Sequence, residues 1–250
     1  MTGVARWMLA DTESGEGPLS NGAPLRVAVI DYGAGNLVSI EQALTAVGAT
    51  VALTTDPADL EDAEALVVPG VGAAAPAMSR LARHGLVEPI RQWIYHGRPF
   101  LGICLGLQLL FETSDEDGAE TLGIVAGRTA RLENAPTLPH IGWNQVERRR
   151  GHVLFTGIRD GADFYFVHSY AGVPEGVAGE AAILAETRHG DRFVSAIDRG
   201  NVLGVQFHPE RSGGDGIRLL GNFARWATAL SAGAGAQYAP SGAGGTAGGD

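Results

Sequence analysis

Short apolar runs alternate with longer segments of helical character from residue 26 to residue 103, and few folds accept that order. Residues 26–31, 51–55, 65–68 and 99–103 read as strands. Residues 36–47, closed by Gly48, read as an amphipathic helix, and residues 74–96 as helix with breaks near Gly85 and Pro89. Strands apolar on both faces need cover on both, which a parallel sheet with crossover helices provides. The expected fold is therefore α/β: a doubly wound, mostly parallel central sheet with helices on both faces, its ligands at the carboxyl ends of the strands. From about residue 122 to 206 the signal changes to short strands and turns, including a hairpin-like stretch at 181–197 around His189-Gly-Asp191. Added antiparallel strands are expected there. Residues 217–230 close the fold as a helix, and no internal repeat is present. Residues 1–24 mix Gly, Ser, Glu and Pro without period, and 231–250 are mostly Gly and Ala. Both are expected to be flexible ends around one domain at 25–230.

The strand at 99–103 runs into Gly102-Ile-Cys104-Leu-Gly106-Leu-Gln108, which holds the only cysteine of the chain. Glycines on both sides allow a sharp strand-to-helix turn that pushes the sulfur out of the sheet, where the amides of an apolar helix would face it. The positive end of a helix favours the thiolate, the form that attacks carbonyl carbon. A merely buried structural cysteine has no use for those glycines.

A thiolate nucleophile needs a proton carrier, and Val205-Gln-Phe-His208-Pro-Glu210 ends a second strand-like run. Alternation along a strand would put His208 and Glu210 on one face, so that the carboxylate orients the imidazole as in a Cys-His-Glu triad. The bland alternative is a surface histidine at a strand end. The histidines at 84, 96, 140, 152, 168 and 189 lack a carboxylate two residues on in an apolar strand. Pro69-Gly70-Val71-Gly72, after the strand at 65–68, could turn the Val71 amide toward a developing oxyanion, with the Leu105 amide as second donor. Alone, that tetrapeptide reads as a turn.

Together, the Cys104 elbow, the Pro69–Gly72 loop and His208-Pro-Glu210 resemble the class I (triad) glutamine amidotransferases, whose glutaminase domain releases ammonia. Asp31-Tyr-Gly-Ala-Gly-Asn36, Pro139-His-Ile-Gly-Trp-Asn144 and Phe164-Tyr-Phe-Val-His-Ser-Tyr170 resemble, within them, the glutaminase subunit of imidazole glycerol phosphate synthase. The resemblance spans residues 26–230. It implies Cys104, His208 and Glu210 as catalytic residues and L-glutamine as substrate. It further implies that Gln108, Glu116, Ser169 with its neighbours His168 and Tyr170, and Gly70 and Gly72 hold the substrate. It also implies a heterodimer with a (β/α)8-barrel cyclase that takes the ammonia to make imidazole glycerol phosphate and an aminoimidazole carboxamide ribotide in histidine biosynthesis. Trp143 is the expected interface anchor, with a core tryptophan as rival reading, and Asn36 and Arg211 are further partner-facing candidates. Arg211 stands where this subunit often has Lys, so the donor geometry of any inter-subunit ion pair differs. Other readings are the glutaminase of a different synthase, which would lack the 139–144 motif, a stand-alone γ-glutamyl hydrolase, and a non-catalytic interaction subunit, which would have lost a triad member.

Composition narrows the alternatives. With 28 acidic against 18 basic residues, net charge −10, the surface should repel polyanions, so neither nucleic acid nor membrane is expected as partner. The one basic run, Arg148-Arg-Arg150, reads as a solvated strand end or a local anion or partner contact. Lysine is absent. That excludes a Schiff base with pyridoxal phosphate, a Ser-Lys dyad and a Gly-Lys-Ser/Thr phosphate loop. Gly33-Ala-Gly35 is followed by Val38 where a dinucleotide fingerprint needs a third glycine, and no Cys/His cluster offers a metal site. Neither cofactor nor metal is expected. A single cysteine suits a reducing compartment, and Trp7-Met-Leu-Ala10 is too short for a signal core, so a cytoplasmic protein is expected.

Overall fold

The computed structural model describes residues 23–234. Residues 1–22 and 235–250, where most of the two expected flexible ends fall, lie outside the described residues. In chain order the first half contains β1 (Arg26–Ile30), α1 (Leu37–Ala46), β2 (Thr50–Thr54), β3 (Ala65–Gly70), α2 (Ala74–Arg83), α3 (Val87–Tyr95), β4 (Phe100–Cys104) and α4 (Leu105–Gln108). The rest contains β5 (Thr113–Ser114), β6 (Gly127–Arg131), β7 (His140–Arg148), β8 (Ala162–His168), β9 (Tyr170–Pro174), α5 (Gly176–Ala182), β10 (Ile183–His189), β11 (Asp191–Arg199), β12 (Val202–Val205) and α6 (Gly213–Ala229).

Nine strands form one sheet in the order β2-β1-β3-β4-β12-β11-β10-β7-β8. It is parallel from β2 to β12 and antiparallel beyond, as expected. A small second sheet, β5-β6-β9, stands apart. The double winding follows from side-chain alternation. Val27, Val29, Leu101 and Ile103 pack on one face with Ile40 and Leu44 of α1 and Leu219, Leu220 and Phe223 of α6. Their neighbours Ala28, Ile30, Leu66, Val68 and Phe100 pack on the other with Leu81 of α2 and Ile90 and Trp93 of α3.

Three local expectations are corrected. The segment after Cys104 is one helical turn, α4, rather than an extended helix, because the carbonyls of Leu109, Leu110 and Phe111 are taken by the amides of Leu122, Ile124, Val125 and Gly123. Pro89 lies within the first turn of α3 and does not break it, since a first-turn residue has no helical acceptor for the N–H that proline lacks. β12 ends at Val205, so His208 and Glu210 are not alternating strand residues; Pro209 cannot donate to a ladder, and residues Pro209–Arg211 form a 3-10 turn instead. The arginine run also resolves: Arg148 pairs with Asp160, Arg149 with Glu186 and Glu180, and Arg150 with Asp198. Among the described residues no helix is long and apolar enough to cross a membrane.

Candidate active site

Cys104 ends β4 with φ 54° and ψ −107°, and among the described residues it is the one non-glycine at positive φ. Such a conformation costs roughly 1–3 kcal/mol and persists only where the surroundings enforce it. Here the enforcement is contact between backbones. A Cβ on Gly106 would lie 1.8 Å from the Val68 carbonyl oxygen, and one on Gly102 would lie 2.5 Å from the Gly106 oxygen. Glycine at 106 thus lets the turn lie against β3, and glycine at 102 lets the turn fold back on its own strand. Cys104 is left 4% exposed at the carboxyl end of the sheet.

The His208–Glu210 arm is held differently. His208 Nδ1 and Glu210 Oε1 are 2.8 Å apart, and both side chains are almost wholly buried. The turn that carries them is tied to β8. The His208 N–H donates to the Tyr165 carbonyl at 2.9 Å, while the Ser212 hydroxyl accepts from the Tyr165 N–H at 3.0 Å and donates to the His208 carbonyl at 2.6 Å. Burial, the largest single influence, pushes His208 down, but the negative charge of Cys104 and the Glu210 carboxylate together outweigh it and lift the imidazole to about 10. His208 Nε2 is buried with no partner in hydrogen-bond geometry, so Cys104 acts on it chiefly as a charge. The arrangement sets a sulfur beside an imidazole with a carboxylate behind the ring, as nucleophilic catalysis by cysteine requires.

A pocket of about 160 Å³ opens beside the sulfur. Its wall holds Val71, Gly72, Cys104, Gln108, Glu116, His168, Ser169 and Tyr170, with Pro139 and Val167. Gly70, Leu105, His208 and Glu210 are not on that wall, and their side chains or backbone are buried. Gly70 has its own steric reason: a Cβ there would lie 1.9 Å from the Tyr32 hydroxyl. Desolvation, reinforced by Asp117, holds the Glu116 carboxyl above its ordinary range at the pocket mouth.

Below the pocket runs a polar chain that the sequence did not suggest. His168 Nδ1 must donate to the Tyr170 carbonyl at 2.9 Å, so its Nε2 accepts from His140 Nδ1 at 3.1 Å, and His140 Nε2 accepts from Asn144 Nδ2 at 3.1 Å. Each tautomer fixes the next, with both rings neutral. Burial, aided by neighbouring imidazoles, lowers His140 to about 4 and His168 to about 3.

A model of the glutamine amidotransferase class-I family matches residues 28–226. The chain belongs to that family. It is 48% identical over 198 residues to a Moorella thermoacetica protein named imidazole glycerol phosphate synthase subunit HisH, covering 79% of this chain and 93% of the relative. The same name is carried by a Symbiobacterium thermophilum protein, 48% identical over 203 residues, covering 80% and 93%. Among solved structures, one described as a glutamine amidotransferase aligns at a TM-score of 0.61 with 24% identity, covering 82% of this chain and 98% of its own. PurLQS from Thermotoga maritima aligns at 0.64 with 18% identity, covering 81% and 99%. These two likenesses concern the fold.

In this amidotransferase the partner-facing candidates divide. Trp143 is 56% exposed, which removes the core reading, and it pairs across the strands with Tyr165, ring centroids 6.1 Å apart. The Arg211 guanidinium lies 4.2 Å from the centroid of the same Tyr165 ring, so Trp143, Tyr165 and Arg211 form one surface cluster, with Ile141 exposed nearby on β7. Asn36, exposed, caps α1 by accepting the Ser39 N–H at 3.4 Å. Tyr165, His140, Asn144 and Gln206 were missed from sequence. Gln206 alone left a signal: a glutamine within the apolar run 202–207, which only a partnered amide explains.

Proposed function

We propose that this amidotransferase is the glutaminase subunit of an imidazole glycerol phosphate synthase, acting in the cytoplasm on L-glutamine in histidine biosynthesis, with residues 25–230 as its catalytic domain. The Cys104 thiolate attacks the side-chain carboxamide carbon. The Val71 and Leu105 amides receive the oxyanion, and His208 gives its Nε2 proton to the departing nitrogen, leaving ammonia and a γ-glutamyl thioester. Water then loses a proton to His208 and attacks the thioester, glutamate leaves, and the thiolate returns. Glu210 keeps the imidazole tautomer and balances its charge. Gly70 and Gly72, Gln108, Glu116, His168, Ser169 and Tyr170 position the amino-acid end of the substrate, with the Glu116 carboxylate suited to its ammonium group. The ammonia passes to a (β/α)8-barrel cyclase docked on the face that carries Trp143 and Arg211, with Asn36 at its edge.

The observation that carries this reading is the strained Cys104 on the pocket wall with a charge-raised His208 coupled to it. Support for the particular synthase comes from the relatives at 48% identity that span nearly all of their own length. The test uses the complex with its cyclase. Cys104→Ala should abolish glutamine-supported synthesis while added ammonium salt still feeds the cyclase; glutamine-supported turnover that survives the substitution rejects the role given to Cys104.

A further inference from the structure

Gln206 lies just past the last residue of β12, 0% exposed, with its N–H on the Ser195 carbonyl at 2.9 Å. Its side chain meets two residues of the pocket wall, Gln108 and Cys104, without lining the pocket itself. Gln108 Nε2 donates to the Tyr170 carbonyl at 2.8 Å, which only the nitrogen end of that amide can do. The same nitrogen lies 3.2 Å from the other amide, so the atom that Gln206 turns toward it must be its oxygen, Oε1. That fixes the remaining end: Gln206 Nε2 points at the Cys104 sulfur, 3.6 Å away. The orientation follows from a carbonyl that cannot donate, and no free rotor enters the argument.

An N–H that donates to sulfur favours the thiolate over the thiol, and in a dry site such a bond is stronger than in water. We infer that Gln206 is a further catalytic residue of the glutaminase, an amide donor to the nucleophile whose aim is set by Gln108, the residue between it and the pocket. The inference rests on Cys104 being the nucleophile, as proposed above. It gives Gln108 two tasks. Its Nε2 holds Gln206, while its Oε1, which takes no hydrogen bond from the described residues, stays available to a ligand. Filling the pocket and aiming the donor at the sulfur then become parts of one hydrogen-bonded chain. No charge is added and no proton is transferred by Gln206. It holds the sulfur's electron pair both before attack and when the thioester breaks.

The chain's single cysteine makes the test clean, because iodoacetamide then reports one sulfur in the full-length protein. Gln206→Leu removes the donor at similar volume, and Gln206→Glu turns an acceptor toward the sulfur. Loss of a hydrogen bond to a charged group should slow alkylation at pH 7 about tenfold in Gln206→Leu, more in Gln206→Glu, with the pH–rate profile moved alkaline and the plateau at high pH recovered. In complex with the cyclase, kcat for glutamine should fall by a similar factor while KM changes less than about twofold, because Gln206 does not line the pocket. Gln108→Leu should move both the profile and KM. A variant that melts earlier but alkylates with the unchanged pH profile shows a packing role and overturns the inference. Where the variants do not fold, the unmutated chain decides: the side-chain amide resonances of Gln206 should titrate together with Cys104 alkylation, and the titration should vanish in Cys104→Ala. Resonances indifferent to the sulfur would overturn it equally. Full glutaminase activity in Cys104→Ala, by contrast, sinks the nucleophile assignment itself.

Discussion

The two arms of the site hold their chemistry by opposite means. On the β4 side, Cys104 is placed by backbone meeting backbone, with glycines where any side chain would collide and a dihedral pair that a free chain avoids. On the β12 side, His208 and Glu210 sit in a turn that proline starts and hydrogen bonds to Tyr165 and Ser212 anchor. Steric placement fails all at once, because close-packed backbone has nowhere to go. Hydrogen-bonded placement fails by degrees, and on this arm it shifts with pH through His208. On the function proposed above, the nucleophile, which must not move, sits on the first kind of support. The base, which must gain and lose a proton each cycle, sits on the second.

Gly106→Ala tests the steric arm and should have the largest effect. Its Cβ would sit 1.8 Å from the Val68 oxygen, a clash with the β3 backbone that no rotamer relieves. A loss of about 3–5 kcal/mol is expected, enough to lower the melting temperature by roughly 10 °C or more and to end glutaminase activity with it. Melting within a few degrees of the parent would show that the elbow can relax, and the contrast between the arms would go.

Glu210→Gln tests the other arm with the fold intact. Removing the charge behind the ring should lower kcat by about two to four orders of magnitude, as loss of the orienting carboxylate does in such triads. The sign of the pH effect is fixed by the direction of the shift. His208 is raised to about 10 in the folded protein, so its contribution to stability is complete below the ordinary histidine range and is lost as pH climbs through about 10. Without the Glu210 charge, that loss should come at lower pH, though Cys104, the larger of the two raising influences, still holds the ring above its ordinary value. An imidazole NMR titration reads this directly. An unmoved His208 midpoint would mean that Glu210 orients the ring without acting on its charge.

How much of this was legible in the sequence differs between the arms in the same way. The elbow could be read because its causes are local: a strand of apolar residues, then glycine, cysteine and glycine within five positions. The partners His208 and Glu210 were found for an incomplete reason. Strand alternation suggested them, yet Pro209 breaks the ladder and a 3-10 turn brings them together. The doubly wound half and its antiparallel extension followed from periodicity. The polar chains did not. Gln108, Gln206 and the Tyr170 carbonyl come from α4, the end of β12 and β9, while His140, Asn144 and His168 come from β7 and β8. The His140–Asn144 and His168–Tyr170 contacts are local, but the links that join Gln108 to Gln206 and Tyr170, and His140 to His168, cross between elements far apart in sequence, so only the assembled sheet reveals them.

His140→Asn is the gentlest probe and sharpens the contrast by asking whether the polar chain below the pocket titrates as a unit. Its Nδ2 can take the place of the ring Nδ1 as donor to His168 Nε2, so the fold and the pocket wall should survive. His140 also stacks on His189 with ring centroids 3.9 Å apart and lies against Phe166 and Phe193, ring surroundings that disfavour a charged imidazole. Its folded value of about 4 lies below the ordinary histidine range, so the unfolded chain takes up a proton that the folded one refuses. That contribution to stability is complete above about pH 6.5 and declines as pH falls toward 4. In His140→Asn the decline should be shallower, by roughly a few degrees of melting temperature at pH 4, with His168 contributing to the remainder. Calorimetry from pH 7 to pH 4 on both chains decides it. Parallel curves would mean that the ring is not what the acid attacks, and that the polar chain below the pocket is as rigid toward protons as the elbow is toward side chains.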